Sequence, residues 1–149
     1  AEKTNDTTHY PQDVKARAKV NQYLHFHHTA TRKIVNYARA AFRGLAEEAG
    51  KAKEVIDTEV LPKLETLLEK NDYLAGDSLT IADVFAYGEF QIPVHALKYD
   101  LSKFPKVEAW VKRLQSNAVI AECDKQALAT AAKIKEEIEK AKAAAQKQG

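Results

Sequence analysis

The sequence predicts an all-α fold, a bundle of five to seven helices, and three observations carry the prediction. Apolar residues recur at three- and four-residue steps through every long segment, and at about 100° per residue such positions share one helical face. Nowhere does the chain alternate apolar and polar residues with the two-residue period of a half-buried strand. No block repeats at a fixed length, which favours one packed bundle over a solenoid, and 149 residues suffice to bury a single core without staples.

Residues 1–9 read as a flexible tail, polar throughout and without the apolar stretch of a secretory signal. Pro11 and Asp13 then open a long helical pattern in which Val20, Leu24, His27, Thr31, Ile34, Val35, Ala38, Phe42 and Leu45 share one face. Gly44 and Gly50 mark a break or frayed connection. A second stripe follows, of Val55, Ile56, Val60, Leu64, Leu67 and Leu68, with Pro62 inside it. Proline lacks the N–H that would bond residue 58, so a kink is expected near Val60.

The turn from Asn71 to Leu79 delivers Thr80 to the start of an apolar helix: Ile81, Ala82, Val84, Phe85, Ala86, with no charge between Asp83 and Glu89. Thr80 as N-cap and Asp83 three residues on form a capping box, and Leu79 and Val84 are placed for a hydrophobic staple. This helix is expected to be central and apolar on most sides, ending or kinking near Ile92 ahead of Pro93, with a short helical piece at 94–98. Another helix starts at Ser102 to Pro105 and runs through Val107, Trp110, Val111 and Leu114, Trp110 pointing inward. Val119, Ile120, Cys123, Ala127, Ala131, Ile134, Ile138 and Ala141 trace a narrower stripe down a last helix, which places Cys123 inside as an inert thiol with a raised pKa. From residue 126 to 149 it reads as an Ala/Lys/Glu-rich extension, a solvated rod or else a partner-binding segment. The bundle proper then spans residues 10–125.

Composition excludes some functions. With 23 basic and 21 acidic residues the net charge is +2, which argues against nucleic acid as an obligate partner. One cysteine allows no intrachain disulfide, and no apolar run approaches the ~20 residues of a membrane helix. A cytoplasmic protein is expected.

Helical phase gives one further signal. With Val20, Leu24, Thr31 and Ala38 facing the core, Asn21, His25, His28 and Arg32 fall together about 100° round. The plain alternative is a solvated polar flank. His25 and His28 invite a metal reading, but no third or fourth ligand accompanies them at suitable spacing, and no CxxC or HExxH occurs. Gly76 and Asp77 do not make a phosphate loop.

The string Tyr73-Leu74-Ala75-Gly76-Asp77-Ser78-Leu79-Thr80-Ile81-Ala82-Asp83 resembles the segment of cytosolic glutathione transferases that leads into the buried helix of their all-helical C-terminal domain. Phe104 to Trp110 resembles that domain's next helix, and Tyr10-Pro11 through Leu24 its first. The order is that of the theta/delta branch, and His27-His28-Thr29 with Gln91-Ile92-Pro93-Val94 tilts it toward theta. The resemblance covers roughly residues 9 to 125.

It implies that His25, His28 and Arg32 line the pocket for the electrophilic second substrate, and that Asn21 approaches the γ-glutamyl end of glutathione. It also implies glutathione as co-substrate, no metal, and a dimer. In that family a preceding thioredoxin-like domain carries the thiol-activating Ser, Tyr or Cys. These residues do not include it, so no catalytic residue is expected in the chain and conjugation by it alone is doubtful. The alternative is a non-catalytic interaction module, as similar domains form in the elongation-factor gamma subunit and in aminoacyl-tRNA synthetase complexes.

Overall fold

The computed structural model describes residues 7–146. The expected tail thus lies mostly outside the described residues, as do the last three residues of the extension and the side chain of Ala141. Seven α-helices are arranged as five rods: α1 (Val14–Thr29) and α2 (Ile34–Arg43), joined by a 3-10 turn at Thr31–Lys33; α3 (Ala46–Val55) and α4 (Leu61–Leu67), joined by a π turn at Ile56–Val60; α5 (Ile81–Gln91), continued by a π turn at Ile92–Ala96; α6 (Pro105–Gln115); and α7 (Ala118–Gln146). Among the described residues there is no strand, only an isolated bridge between Tyr73 and Gly76. Among the described residues no helix is long and apolar enough to cross a membrane.

Asp13 caps α1, its Oδ1 accepting from the Ala16 N–H at 2.8 Å. The rod expected to run unbroken to Leu45 instead turns at Ala30. The Thr29 hydroxyl bonds back to the Phe26 carbonyl at 3.2 Å, while Thr31 is held inside by its 2.9 Å hydrogen bond with Tyr23. Side-chain bonds of this kind compete with the helical ladder. Gly44 ends α2 in the left-handed region, at φ 73°, with its N–H on the Ala40 and Ala41 carbonyls. Gly50, by contrast, lies within α3 and breaks nothing.

Both prolines inside helical patterns sit at π turns. Leu61 donates to the Ile56 carbonyl and Leu97 to the Ile92 carbonyl, each five residues back. The wider turn makes room where the pyrrolidine ring of Pro62 or Pro93 would meet the preceding turn and where its N–H is missing. The α-helical ladder therefore stops at Val55, to resume at Leu61, and again at Gln91, around the expected kinks.

The core gathers around Trp110, Leu61, Leu64, Val107 and Ala82, all inaccessible to solvent. Phe90 and Tyr87 meet the Trp110 ring edge-on at 5.6 and 6.3 Å. Glu65 of α4 accepts from the first free N–H groups of α6, Lys106 at 2.9 Å and Val107 at 3.0 Å, which caps one helix with a side chain from another. Asn117 does the same locally for α7, accepting from Val119 and Ile120.

Four further expectations are corrected. Cys123 is exposed. The inward face of α7 is Ile120, Asp124 and Ala131, while Val119 is 74 % exposed. The stripe is rotated by one position because Asp124 is drawn inside by hydrogen bonds from Tyr87 (2.7 Å) and Gln91 (3.0 Å) of α5. The α5 helix is central on one side only: Ala82, Asp83, Ala86, Tyr87 and Phe90 are buried, but Val84 is 47 % and Phe85 57 % exposed. Leu79 packs on the core, and Val84 is left half in solvent rather than closed under it as a staple.

Candidate functional site

The N-terminal turn of α5 holds the site's frame. Thr80 and Asp83 form the capping box, with the Thr80 N–H on Asp83 Oδ2 at 2.9 Å. The Thr80 hydroxyl adds a 3.1 Å bond to the same oxygen. Asp83 Oδ1 turns the other way and accepts from the Leu74 N–H at 2.8 Å and the Trp110 indole N–H at 3.0 Å. One fully buried carboxylate thus ties the glycine loop, α5 and α6 together. A buried charge tolerates that position only because four donors replace its water. The sequence signalled the local half of this arrangement; the indole came from a residue 27 positions away.

From this frame α5 runs on against α1. His27 of α1 is 4 % exposed, with Nε2 3.4 Å from Glu89 Oε1 and Nδ1 buried without a hydrogen-bond partner. Burial lowers the His27 pKa, helped by the positive charge of neighbouring His28 and Arg32. Burial raises that of Glu89, with Arg32 opposing. Both shifts favour the uncharged forms, and burial is the larger cause of each. Phe85 stands edge-on to His27 at 6.2 Å, and His28 does so at 5.9 Å.

Asn21, His25 and His28 follow one another along a single face of α1, spaced four and three residues apart. His25 and His28 are exposed. Asn21 is half-buried, and its Oδ1 accepts from the Tyr10 hydroxyl at 3.0 Å. The segment before α1 is itself fixed: the His9 carbonyl accepts from the Ile81 N–H at 3.0 Å, and the Arg17 guanidinium lies 5.0 Å over the Tyr10 ring. Arg32 lies beyond the break at Ala30, so regular helical phase does not place it with the other three. It is exposed, and its charge reaches His27 and Glu89. The structure brings His28, Arg32, His27, Glu89 and Phe85 together, with His25 and Asn21 extending the row toward Tyr10.

This arrangement offers imidazole and guanidinium donors over an apolar edge, suited to an electron-rich or anionic group on an aromatic body. It contains no nucleophile or base aligned for covalent chemistry. Among the described residues no three His, Cys, Asp or Glu side chains converge on a metal position. Glu89 and Phe85 were missed as site residues by sequence reasoning. Their signal was faint: at 100° per residue Glu89 and Phe85 fall about 20° and 60° beyond Ala82, on the flank of the buried face, and nothing in the sequence said that flank would be the open one.

The model of the glutathione S-transferase C-terminal domain family matches residues 15–117. Glutathione S-transferase D7 of Drosophila melanogaster is 36 % identical over 115 residues, covering 72 % of this chain and 47 % of that protein. Rat glutathione S-transferase theta-1 is 28 % identical over 116 residues, covering 72 % and 48 %. The chain spans about half the length of the curated relatives it matches. Among solved structures, human glutathione transferase theta-2, in complex with glutathione and an unknown ligand, superposes with a TM-score of 0.75 at 25 % identity, over 93 % of this chain and 60 % of that one.

Proposed function

Because the chain belongs to the glutathione S-transferase family through its C-terminal domain, we propose that it supplies the electrophile-binding wall and part of a dimer surface for glutathione conjugation in a theta-like, cytoplasmic enzyme. The observation that carries this reading is the open face of α1 and α5, where His25, His28 and Arg32 stand exposed beside the uncovered Phe85. An aromatic ring left 57 % exposed over a buried histidine is a surface shaped to be covered. In this reading a thioredoxin-like domain covers it and activates the thiol, His25, His28 and Arg32 contact the electrophile, and the free amide N–H₂ of Asn21 donates to the γ-glutamyl carboxylate of glutathione. The theta assignment draws support from the superposition on theta-2, against the higher sequence identity with a delta-type relative.

The test joins a thioredoxin-like domain to the chain and measures conjugation with a panel of electrophiles. Substituting His28 or Arg32 should change preference among electrophiles more than KM for glutathione, and Asn21→Ala should do the reverse. An unchanged electrophile preference in both the His28 and Arg32 variants would refute the placement. The isolated chain should conjugate no aryl halide; activity that co-purifies with it and vanishes on Asn21 substitution would overturn the assignment. The interaction-module alternative predicts instead that the joined protein binds neither substrate.

A further inference from the structure

The segment ahead of α1 is held more firmly than a connection requires. The His9 carbonyl accepts from the Ile81 N–H at 3.0 Å, one of the donors that the start of α5 leaves free, and Asp13 caps α1 through the Ala16 N–H at 2.8 Å. Residues 9–13 are therefore pinned at both ends, with Pro11 fixing φ between them. Tyr10 lies within that span, its ring packed on the core and the Arg17 guanidinium 5.0 Å above it. Arg17 is held in turn by the Pro11 carbonyl, which accepts from its Nε at 2.8 Å. Arg17 and Asn21 stand four residues apart on one face of α1. The Tyr10 ring beneath the first thus brings its hydroxyl to the second, 3.0 Å from Asn21 Oδ1.

We propose that Tyr10 is a positioning residue for Asn21: its hydroxyl takes the amide oxygen and leaves only the N–H₂ group to face the γ-glutamyl carboxylate, an inference that rests on the reading of Asn21 as a glutathione contact. An asparagine amide turns about χ2 over a broad, nearly two-fold range. Its two ends recognise opposite partners, the oxygen a donor such as an ammonium and the N–H₂ an acceptor such as a carboxylate. The γ-glutamyl end of glutathione carries both groups, so an unrestrained amide would serve either. With Oδ1 satisfied by an anchored phenol, Asn21 keeps only its donor end. Among the described residues Nδ2 has no hydrogen-bond partner, and it is not buried. Tyr10 thereby selects the carboxylate and removes from binding the entropy of fixing the amide.

The side-chain amide of Asn21 is observable in the isolated chain by NMR relaxation. With the hydroxyl in place its order parameter should be close to the roughly 0.85 of rigid backbone, and Tyr10→Phe, which keeps the ring under Arg17, should bring it below about 0.6. In the enzyme joined to a thioredoxin-like domain, Tyr10→Phe should raise KM for glutathione about three- to tenfold, the range of one hydrogen bond, and lower kcat by less. In an Asn21→Ala background the same substitution should add nothing, since Tyr10 acts through the amide. A KM raised by Asn21→Ala but unmoved by Tyr10→Phe would overturn the proposal and leave the reading of Asn21 standing. A KM unmoved by Asn21→Ala would refute that reading and the proposal with it. A further rise on Tyr10→Phe with Asn21 already alanine would make Tyr10 a structural residue and overturn the proposal alone. So would a mobile Asn21 amide in the unsubstituted chain, a measurement that stands even where Tyr10→Phe fails to fold.

Discussion

Asp83 shows how one side chain can serve two scales of structure. Its Oδ2 closes a cap within three residues, and its Oδ1 holds Trp110 and Leu74 from elsewhere in the chain. Asp83→Ala leaves four donors unpaired, three of them outside the cap's hydroxyl, and should cost about 3–5 kcal/mol, above the ~1–2 kcal/mol of an ordinary cap. Asp83→Asn should fall between, since its oxygen can keep Leu74 and Trp110 but its amide faces the Thr80 N–H donor to donor. Denaturant midpoints of the two variants test this ordering, and a loss of under 1 kcal/mol for alanine would show the hub to be ornamental. His27 gives a pH prediction. Its folded pKa lies below the ordinary 6.5, so the unfolded chain takes up the proton first and this contribution to stability, full above 6.5, is lost as pH falls from there toward the folded value. His27→Gln should flatten the dependence of Tm on pH in that window. Identical profiles for the two proteins would rule out His27 as its source.

At the scale of elements, α7 is fastened by polar groups more than by its apolar stripe. Asp124 accepts from Tyr87 and Gln91 and lies 3.1 Å from His95 Nε2, while Val119 and Cys123 point outward. Burial and the Asp124 carboxylate both push the Tyr87 phenol upward, which keeps it a donor. Asp124→Ala should cost about 2–3 kcal/mol by leaving these donors unpaired. Amide exchange in residues 118–131 should quicken more than in α5; equal protection of α7 in both proteins would mean that Ile120 and Ala131 suffice to dock it. The two π turns make the same point about prolines. Pro62 and Pro93 were legible as interruptions, but whether a proline ends a helix or widens one turn of it depends on what the rod packs against on either side.

For the whole molecule, the open face of α1 and α5 separates stability from assembly. Phe85→Ser removes a ring that is mostly in solvent, so the isolated chain should lose less than about 1 kcal/mol. Association with a covering thioredoxin-like domain should weaken at least about tenfold, the cost of deleting an aromatic anchor at an interface centre. Thermal melts of the chain alone and affinity for the separately produced domain measure the two effects. A large loss in the melt, or none in the affinity, would show that Phe85 belongs to the core and that the covering surface lies elsewhere.

By itself the sequence determined the helical class, the positions of most helix starts and the cap at Thr80 and Asp83, because these depend on periodicity and on partners within four residues. It also placed Trp110 and His27 inward, since both lie in phase with strong apolar neighbours. Tertiary structure alone decided which of two adjacent phases α7 presents, because buried hydrogen bonds from α5 to Asp124 outweigh the packing of a thiol. It decided that Phe85 faces outward, because an apolar helix has no preferred side until its neighbours are chosen. And it took Arg32 off the regular helical phase of Asn21, His25 and His28, because the helix turns at Ala30 although its apolar pattern runs on unbroken.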